Sequence, residues 1–225
     1  MAFVHSPKIV TNGLVLSLDA GNTKSYTSGS TTWFDKSGFG NNGTVFNSPA
    51  FDTGSLGNII FDGTNDYVNC GYIMNFSSSF TLELAFKTTY TGTDVIMCSK
   101  YDYTDPNFWF GVKNNKLTFS IHVFTSGKAE PASLTNVNNG NWYIGHAIYN
   151  SSNYNTSVYL NSVLQSTVVG NTAFTDTSRS YYIARFNPTA IYFPGSIAYN
   201  RVYNRALTQA EITQNFNAVR GRYGI

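Results

Sequence analysis

The sequence predicts an all-β chain, an antiparallel β-sandwich closed by one short C-terminal helix, and three observations predict it. Aromatic residues make up 16% of the chain, with 16 Tyr and 17 Phe, while only 12% of residues are charged. Aromatic and β-branched side chains fit pleated, half-buried surfaces. Short apolar or alternating segments recur between clusters of Gly, Asn, Ser, Thr and Asp, which is the pattern of strands joined by turns. At 225 residues the chain has the length of one sandwich or barrel and removes roughly 70% of its unfolded surface from water, so its core needs no disulfide or structural metal. Residues 1–225 therefore read as a single domain, with an N-terminal arm over 1–12 and a C-terminal helix over 208–220.

In chain order, the first strand candidates are Leu14 to Leu18, Ile59 to Phe61 and Tyr67 to Val68. The clearest strand follows, Phe80 to Lys87, with Phe80, Leu82, Leu84 and Phe86 on a core face and Thr81, Glu83 and Lys87 on a wetter one. Val95 to Cys98 is next. Phe108 to Val112 and Leu117 to Val123 then form a hairpin around Asn114-Asn115, because Asn tolerates the positive φ that a tight primed turn requires. Phe108, Phe110, Val112, Leu117, Phe119, Ile121 and Val123 are expected to share the core. Further strands are expected at Trp142 to Tyr149, Val158 to Leu160, Tyr181 to Phe186 and Ile197 to Tyr203. Thr208-Gln209-Ala210-Glu211 has the form of a capping box, and Leu207 and Ile212 stand where a hydrophobic staple would. Ile212, Phe216 and Val219 fall on one stripe of the ensuing helix.

Charge and cysteine usage narrow the function classes. The formal net charge is +2 and no run of Lys or Arg makes a phosphate-neutralising stripe, so nucleic acid is not an expected partner. The densest basic stretch, Arg201, Arg205, Arg220 and Arg222, reads as a solvated face beside a helix C-terminus. Cys70 and Cys98 lie in or beside apolar strand-like segments and read as buried, reduced thiols. The first residues lack the basic start and apolar run of a signal peptide, and no segment reaches membrane-spanning length. A protein made in a cytoplasm, without membrane insertion, is the expectation.

Little in the sequence supports catalysis. Glycoside hydrolysis needs two carboxyl groups flanking the scissile bond, but Glu83 stands alone on its strand, Glu130 falls in a loop and Glu211 in a cap. His5, His122 and His146 are far apart, and no Cys/His cluster has metal-ligand spacing. No catalytic residue is assigned, and the chain is expected not to be an enzyme. Two acidic loops, Asp62 to Asp66 and Asp102 to Asn107, offer Asp62, Asp66, Asp102 and Asp105 as weak calcium ligands. Turn formation is the preferred reading of both, since Asp and Asn bond their own backbone. The mixture of aromatic and planar polar residues in Tyr101, Tyr103, Asp105, Asn107 and Trp109 is a candidate carbohydrate-binding site. Trp109 points away from the Phe108/Phe110 face, which suits buried packing or interface as well as an exposed platform.

Several stretches together carry a resemblance: Lys8 to Asn22, Thr32-Trp33-Phe34-Asp35-Lys36-Ser37-Gly38, Ile60 to Val68, Phe80-Thr81-Leu82-Glu83, Gly195-Ser196-Ile197-Ala198, and Val202 to Thr208 with Glu211-Ile212. In these the chain resembles the laminin-G-like, concanavalin A-like jelly-roll domains, in the version that recurs in structural proteins of tailed phages. The resemblance implies a jelly roll in which Trp33 anchors an early loop and Asp62-Gly63 a turn. Where many relatives carry an acidic residue shortly after the glycine matching Gly195, this chain has Ala198, Tyr199 and Asn200, which weakens any calcium site carried over by the resemblance. The glucanase branch's carboxylate cluster is absent as well. The resemblance implies a non-enzymatic virion structural or decoration protein on a phage capsid, tail or fibre. Such a protein is made in the host cytoplasm, with other virion proteins and copies of itself as partners. The alternative is a lectin-like module that attaches to host or environmental glycans.

Overall fold

The structure, a computed structural model, describes residues 7–102, 104–123, 127–170, 173–187 and 191–225, apart from the side chains of 102 and 104–106. The expected arm over 1–12 is therefore described only from residue 7. Among the described residues nineteen strands alternate with tight turns: β1 Leu14–Asp19, β2 Thr32–Trp33, β3 Gly43–Phe46, β4 Ala50–Asp52, β5 Asn58–Asp62, β6 Tyr67–Asn69, β7 Phe80–Lys87, β8 Asp94–Asp102, β9 Thr104–Lys113 and β10 Lys116–Val123. They continue with β11 Gly127–Ala129, β12 Ala132–Asn136, β13 Tyr143–Asn150, β14 Asn155–Leu160, β15 Val163–Val169, β16 Tyr182–Ile183, β17 Arg185–Phe186, β18 Ile191–Tyr192 and β19 Pro194–Tyr203.

Two antiparallel sheets carry the sandwich. One has eight strands in the order β15-β14-β13-β7-β19-β5-β4, with β1 also on β19; the other has nine in the order β11-β10-β9-β8-β16-β6-β3-β2, with β12 also on β10. Their facing sides enclose one apolar cluster that includes Phe80, Leu82, Leu84 and Phe86 of β7 and Phe108, Phe110, Leu117 and Phe119 of the β9–β10 hairpin. Trp33 is fully buried in it, edge-on to Tyr26. Asn114 and Asn115 adopt φ of 50° and 67°, the left-handed pair that closes the hairpin. Cys70 and Cys98 are buried free thiols, and burial pushes the Cys98 thiol up to about 12. At Gly195 a Cβ would lie 2.5 Å from the carbonyl oxygen of Lys87, so the close approach of β19 to its neighbour β7 accounts for the glycine.

The helix α1, Gln209–Val219, is capped as expected: Thr208 Oγ1 accepts from Glu211 N–H, and the Glu211 carboxylate accepts from Thr208 N–H at 2.9 Å. It packs on the outer side of the eight-stranded sheet, where Ile212 and Leu207 join Val10, Leu14, Ile148 and Tyr203. This corrects two expectations. The outer face of β7 is not wet: Thr81 and Glu83 are both fully buried beneath the C-terminal segment. Nor do the arginines together make a solvated face: Arg220, at the helix C-terminus, is exposed, but the other three are engaged. Arg201 is buried against Glu83 at 2.8 Å, Arg205 holds Glu211 through Nη1 and Nη2, and Arg222 bonds Asp19 and the carbonyls of Ser55 and Gly57. Tyr181 to Phe186 is also not one strand; Ala184, at φ 61°, breaks it into β16 and β17.

The helix-to-sheet interface is polar at its centre. Glu83 Oε1 accepts from Tyr199 OH and Arg201 Nη1, and Oε2 accepts from Asn215 Nδ2 at 2.7 Å. Asn215 also donates to Tyr203 OH and accepts from Val10 N–H at 2.8 Å. One buried asparagine on the helix thus ties the N-terminal arm and two strands together, and every polar atom of its side chain is used.

Candidate site on the outer face of the nine-stranded sheet

Alternation along β9 buries Phe108, Phe110 and Val112 and turns Asn107 and Trp109 outward. The two-residue turn fixes the register of β10, which sets Ser120 opposite Trp109 and His122 opposite Asn107. On the other flank β8 sets Ser99 opposite Trp109 and Asp94 opposite Lys113. Together with Tyr101 and Phe186 these side chains, Ser99 apart, line a cavity of about 260 Å³, whose wall Lys128 and Glu130 complete. The rings of Tyr101 and Phe186 stack at 4.2 Å and 22°, giving the cavity an aromatic side. Next to it Arg185 lies 4.5 Å over Tyr67 and 5.5 Å over Tyr182, so the aromatic surface continues across the sheet.

Glu130 organises the polar side. It accepts from Lys113 Nζ at 2.8 Å and from Ser120 Oγ at 2.9 Å. Burial pushes its carboxyl upward, but the Lys113 and Ser120 hydrogen bonds and the lysine charges outweigh this and hold it below the usual carboxylate range. Asp94 lines the same cavity, so the register brings together two carboxylates that no spacing within a strand would pair. A carboxyl kept ionised by lysine is suited to accept hydrogen bonds, and a general acid for glycoside hydrolysis needs the opposite shift.

Residues 62–213, more than half of the chain, match the Laminin G 3 family model of the concanavalin A-like lectin/glucanases superfamily. The chain belongs to that superfamily. No curated protein matches the sequence. Among solved structures, this superfamily domain is similar to domain 4 of AbnA, an extracellular arabinanase from Geobacillus stearothermophilus in complex with arabinotriose, at 17% identity and TM-score 0.67, covering 90% of this chain and 97% of that one. It is also similar to the binding domain of Paraclostridial Mosquitocidal Protein 1, at 15% identity, TM-score 0.72 and 92% coverage. A third likeness is the binding domain of botulinum neurotoxin DC in complex with rat synaptotagmin II, at 13% identity, TM-score 0.69 and 93% coverage. The domain spans about half the length of the two toxin chains. At these identities the likeness is one of fold: jelly-roll binding domains.

Of the residues singled out by sequence in this superfamily domain, Tyr101, Asn107 and Trp109 meet in the cavity. Tyr103 and the side chains of Asp102 and Asp105 lie outside the described residues. Of the two readings open for Trp109 the structure has the packed one: at 8% exposure it forms the floor of the cavity and is no open platform. Ser120, His122, Lys113, Glu130 and Phe186 escaped the sequence reading. The first two were within its reach, because a two-residue Asn-Asn turn dictates which β10 residues oppose Asn107 and Trp109.

The acidic loop at Asp62 is a turn in which Oδ1 of Asp62 accepts from the N–H groups of Thr64, Asn65 and Asp66, while Asp66 accepts from Asp62 N–H. The first of these bonds does most to hold Asp62 below the usual carboxylate range, against burial. Among the described residues no group of three or more His, Cys, Asp and Glu side chains is gathered as metal ligands. Other depressions are larger, one of about 740 Å³ beside the 217–225 tail, one of about 440 Å³ beside Thr88, Tyr90 and Gly195, and one of about 310 Å³ beside Tyr26 and Phe51. The first has no aromatic lining, and none of the three has a side-chain carboxylate.

Proposed function

We propose that this chain is a non-catalytic carbohydrate-binding domain whose site is the cavity on the outer face of the nine-stranded sheet. The observation that carries the reading is the convergence of Trp109, Tyr101 and Phe186 with Asn107, Ser120, His122 and the ionised Glu130. Sugar rings present apolar C–H faces and hydroxyl edges, which call for aromatic surfaces beside planar acceptors and donors. The cavity's volume suits one ring, so the single-site affinity is weak and binding in use depends on multivalency. The arabinotriose complex of the similarly folded arabinanase domain supports the ligand class, and the near-complete coverage of that domain supports this chain acting as one binding module.

The test is binding of the protein, displayed multivalently on beads, to a glycan panel with and without calcium. Selective capture is expected, with Tyr101→Ala weakening it at least about tenfold, the ~1.4 kcal/mol that one lost aromatic contact supplies. Tyr101 is the better probe than Trp109, because Tyr101→Ala leaves the buried floor intact and its melting temperature should stay within a few degrees of wild type. Loss of capture on chelation would assign a calcium role to the acidic loops. Uniform silence of the panel, or hydrolysis of a captured glycan, would overturn the reading.

The phage-type motif set favours a virion as the setting, with copies of the domain arrayed on a particle surface and docked to other virion proteins. Mass spectrometry of purified particles tests that placement.

A further inference from the structure

Lys100 of β8 is a charged residue on the core side of a strand, opposite Phe108. Its side chain is 2% exposed, and Nζ is in direct contact with Oδ1 of Asp176, whose side chain is 1% exposed. The rings of Tyr72 and Phe76 lie 5.1 and 5.5 Å from Nζ, and among the described residues Nζ has no other polar partner. Asp176 is held from both sides: Oδ2 accepts from Phe76 N–H at 2.8 Å, and Oδ1 accepts from Ser178 N–H at 3.0 Å. A buried Lys–Asp ion pair beside aromatic rings is a costly arrangement, and nothing in the proposed sugar site uses it.

We propose that Lys100 and Asp176 form an intramolecular isopeptide bond, a self-modification in which the lysine amine and the aspartate carboxyl condense to an amide.

The low-dielectric surround disfavours the separated charges, so the ammonium proton passes to the carboxylate and leaves a neutral amine against a neutral acid. Burial, with the charge of Arg179 acting in the same direction, pushes Lys100 down to about 8, so more of the amine is neutral near neutral pH than for an exposed lysine. The Nζ lone pair attacks Cγ of Asp176. Negative charge then develops on Oδ2, where the Phe76 N–H already points, as in an oxyanion hole. The Cγ–Oδ1 bond breaks, Oδ1 leaves with one proton from the acid and one from nitrogen, and the products are a secondary amide and one water. No oxidant, cofactor or further reactant is needed. The bond covalently fixes the segment between β15 and β16, which carries buried Phe174, to the nine-stranded sheet.

Intact-mass spectrometry of the purified full chain tests this. The wild type is expected one water lighter than its sequence mass. Proteolysis is expected to yield a branched peptide joining the Lys100 and Asp176 segments, with no tryptic cleavage after Lys100. Asp176→Asn should condense with loss of ammonia and converge on the same mass as the wild type, because the two products are chemically identical. Lys100→Arg should keep its full sequence mass. A folded wild type that stays at full sequence mass overturns the proposal. So does a water loss that persists in Lys100→Arg, which would place it elsewhere, for instance as a succinimide at Asp62-Gly63. The branched peptide from wild type decides the matter even where a variant fails to fold.

Discussion

Arg201→Met is expected to lower the unfolding free energy by about 3–5 kcal/mol, because it leaves the fully buried Glu83 without its cation. Methionine keeps most of the volume, so the loss reports charge and hydrogen bonding. For a chain of this size the melting temperature should fall by on the order of 10 °C. Adding Glu83→Leu should recover part of the loss, since a buried pair replaced on both sides by apolar groups is often nearly neutral. A single-mutant loss within about 1 kcal/mol would mean that the network contributes no more than a surface pair.

The same network makes stability depend on pH in a defined direction. Burial pushes His146 down, and the neighbouring Glu83, 3.8 Å away, offsets this only in part. Burial pushes Glu83 up, but Arg201, His146, Tyr199 and Asn215 outweigh it and hold the carboxyl below the usual range. Below about pH 6.5 the unfolded chain takes up a proton on His146 that the folded chain refuses, and below about pH 4.3 the unfolded Glu83 is protonated before the folded one. In both windows the unfolded state binds more protons, so stability falls as pH falls. Urea midpoints should decline from pH 7 to 5 in wild type, and more shallowly in His146→Gln.

Phe80→Ala should cost a similar amount, about 3–5 kcal/mol. Its ring is fully buried and lies 5.0 Å from Phe76, 5.1 Å from Phe108, 5.6 Å from Tyr149 and 6.0 Å from Phe119, so three strands and the loop before β7 lose packing at once. Phe80→Leu, which fills most of the space, should cost less than half as much. Equilibrium urea unfolding checks both, and equal losses from the two substitutions would contradict a close-packed aromatic centre.

The legible parts of the fold were those whose signals are local. The β9–β10 hairpin follows from alternation and one Asn-Asn turn, and α1 from a capping box followed by an apolar stripe. Edge elements were not legible: β15 leaves Val163 and Val169 exposed and so carries no clean inside–outside pattern, and its hairpin with β14 turns on Asn161-Ser162, at φ 49° and 66°, a weaker signature than Asn-Gly. The wet face assigned to Glu83 failed because what covers β7 comes from Asn215, far along the chain, and no periodicity within a strand reports that. The candidate site was half legible for the same reason. Tyr101, Asn107 and Trp109 lie close together in sequence, whereas Glu130 and Phe186 reach the cavity only through the packing of the whole sheet.

The placement of a sugar in that cavity can be measured directly by titrating isotopically labelled protein with the best oligosaccharide from the panel and mapping the amide shifts. Shifts concentrated at Tyr101, Asn107, Trp109, Ser120, Glu130 and Phe186, and abolished by Tyr101→Ala, are the predicted result. Shifts confined to Thr88–Tyr90 and Pro194–Ser196, or none at saturating sugar, would contradict a site on the outer face of the nine-stranded sheet.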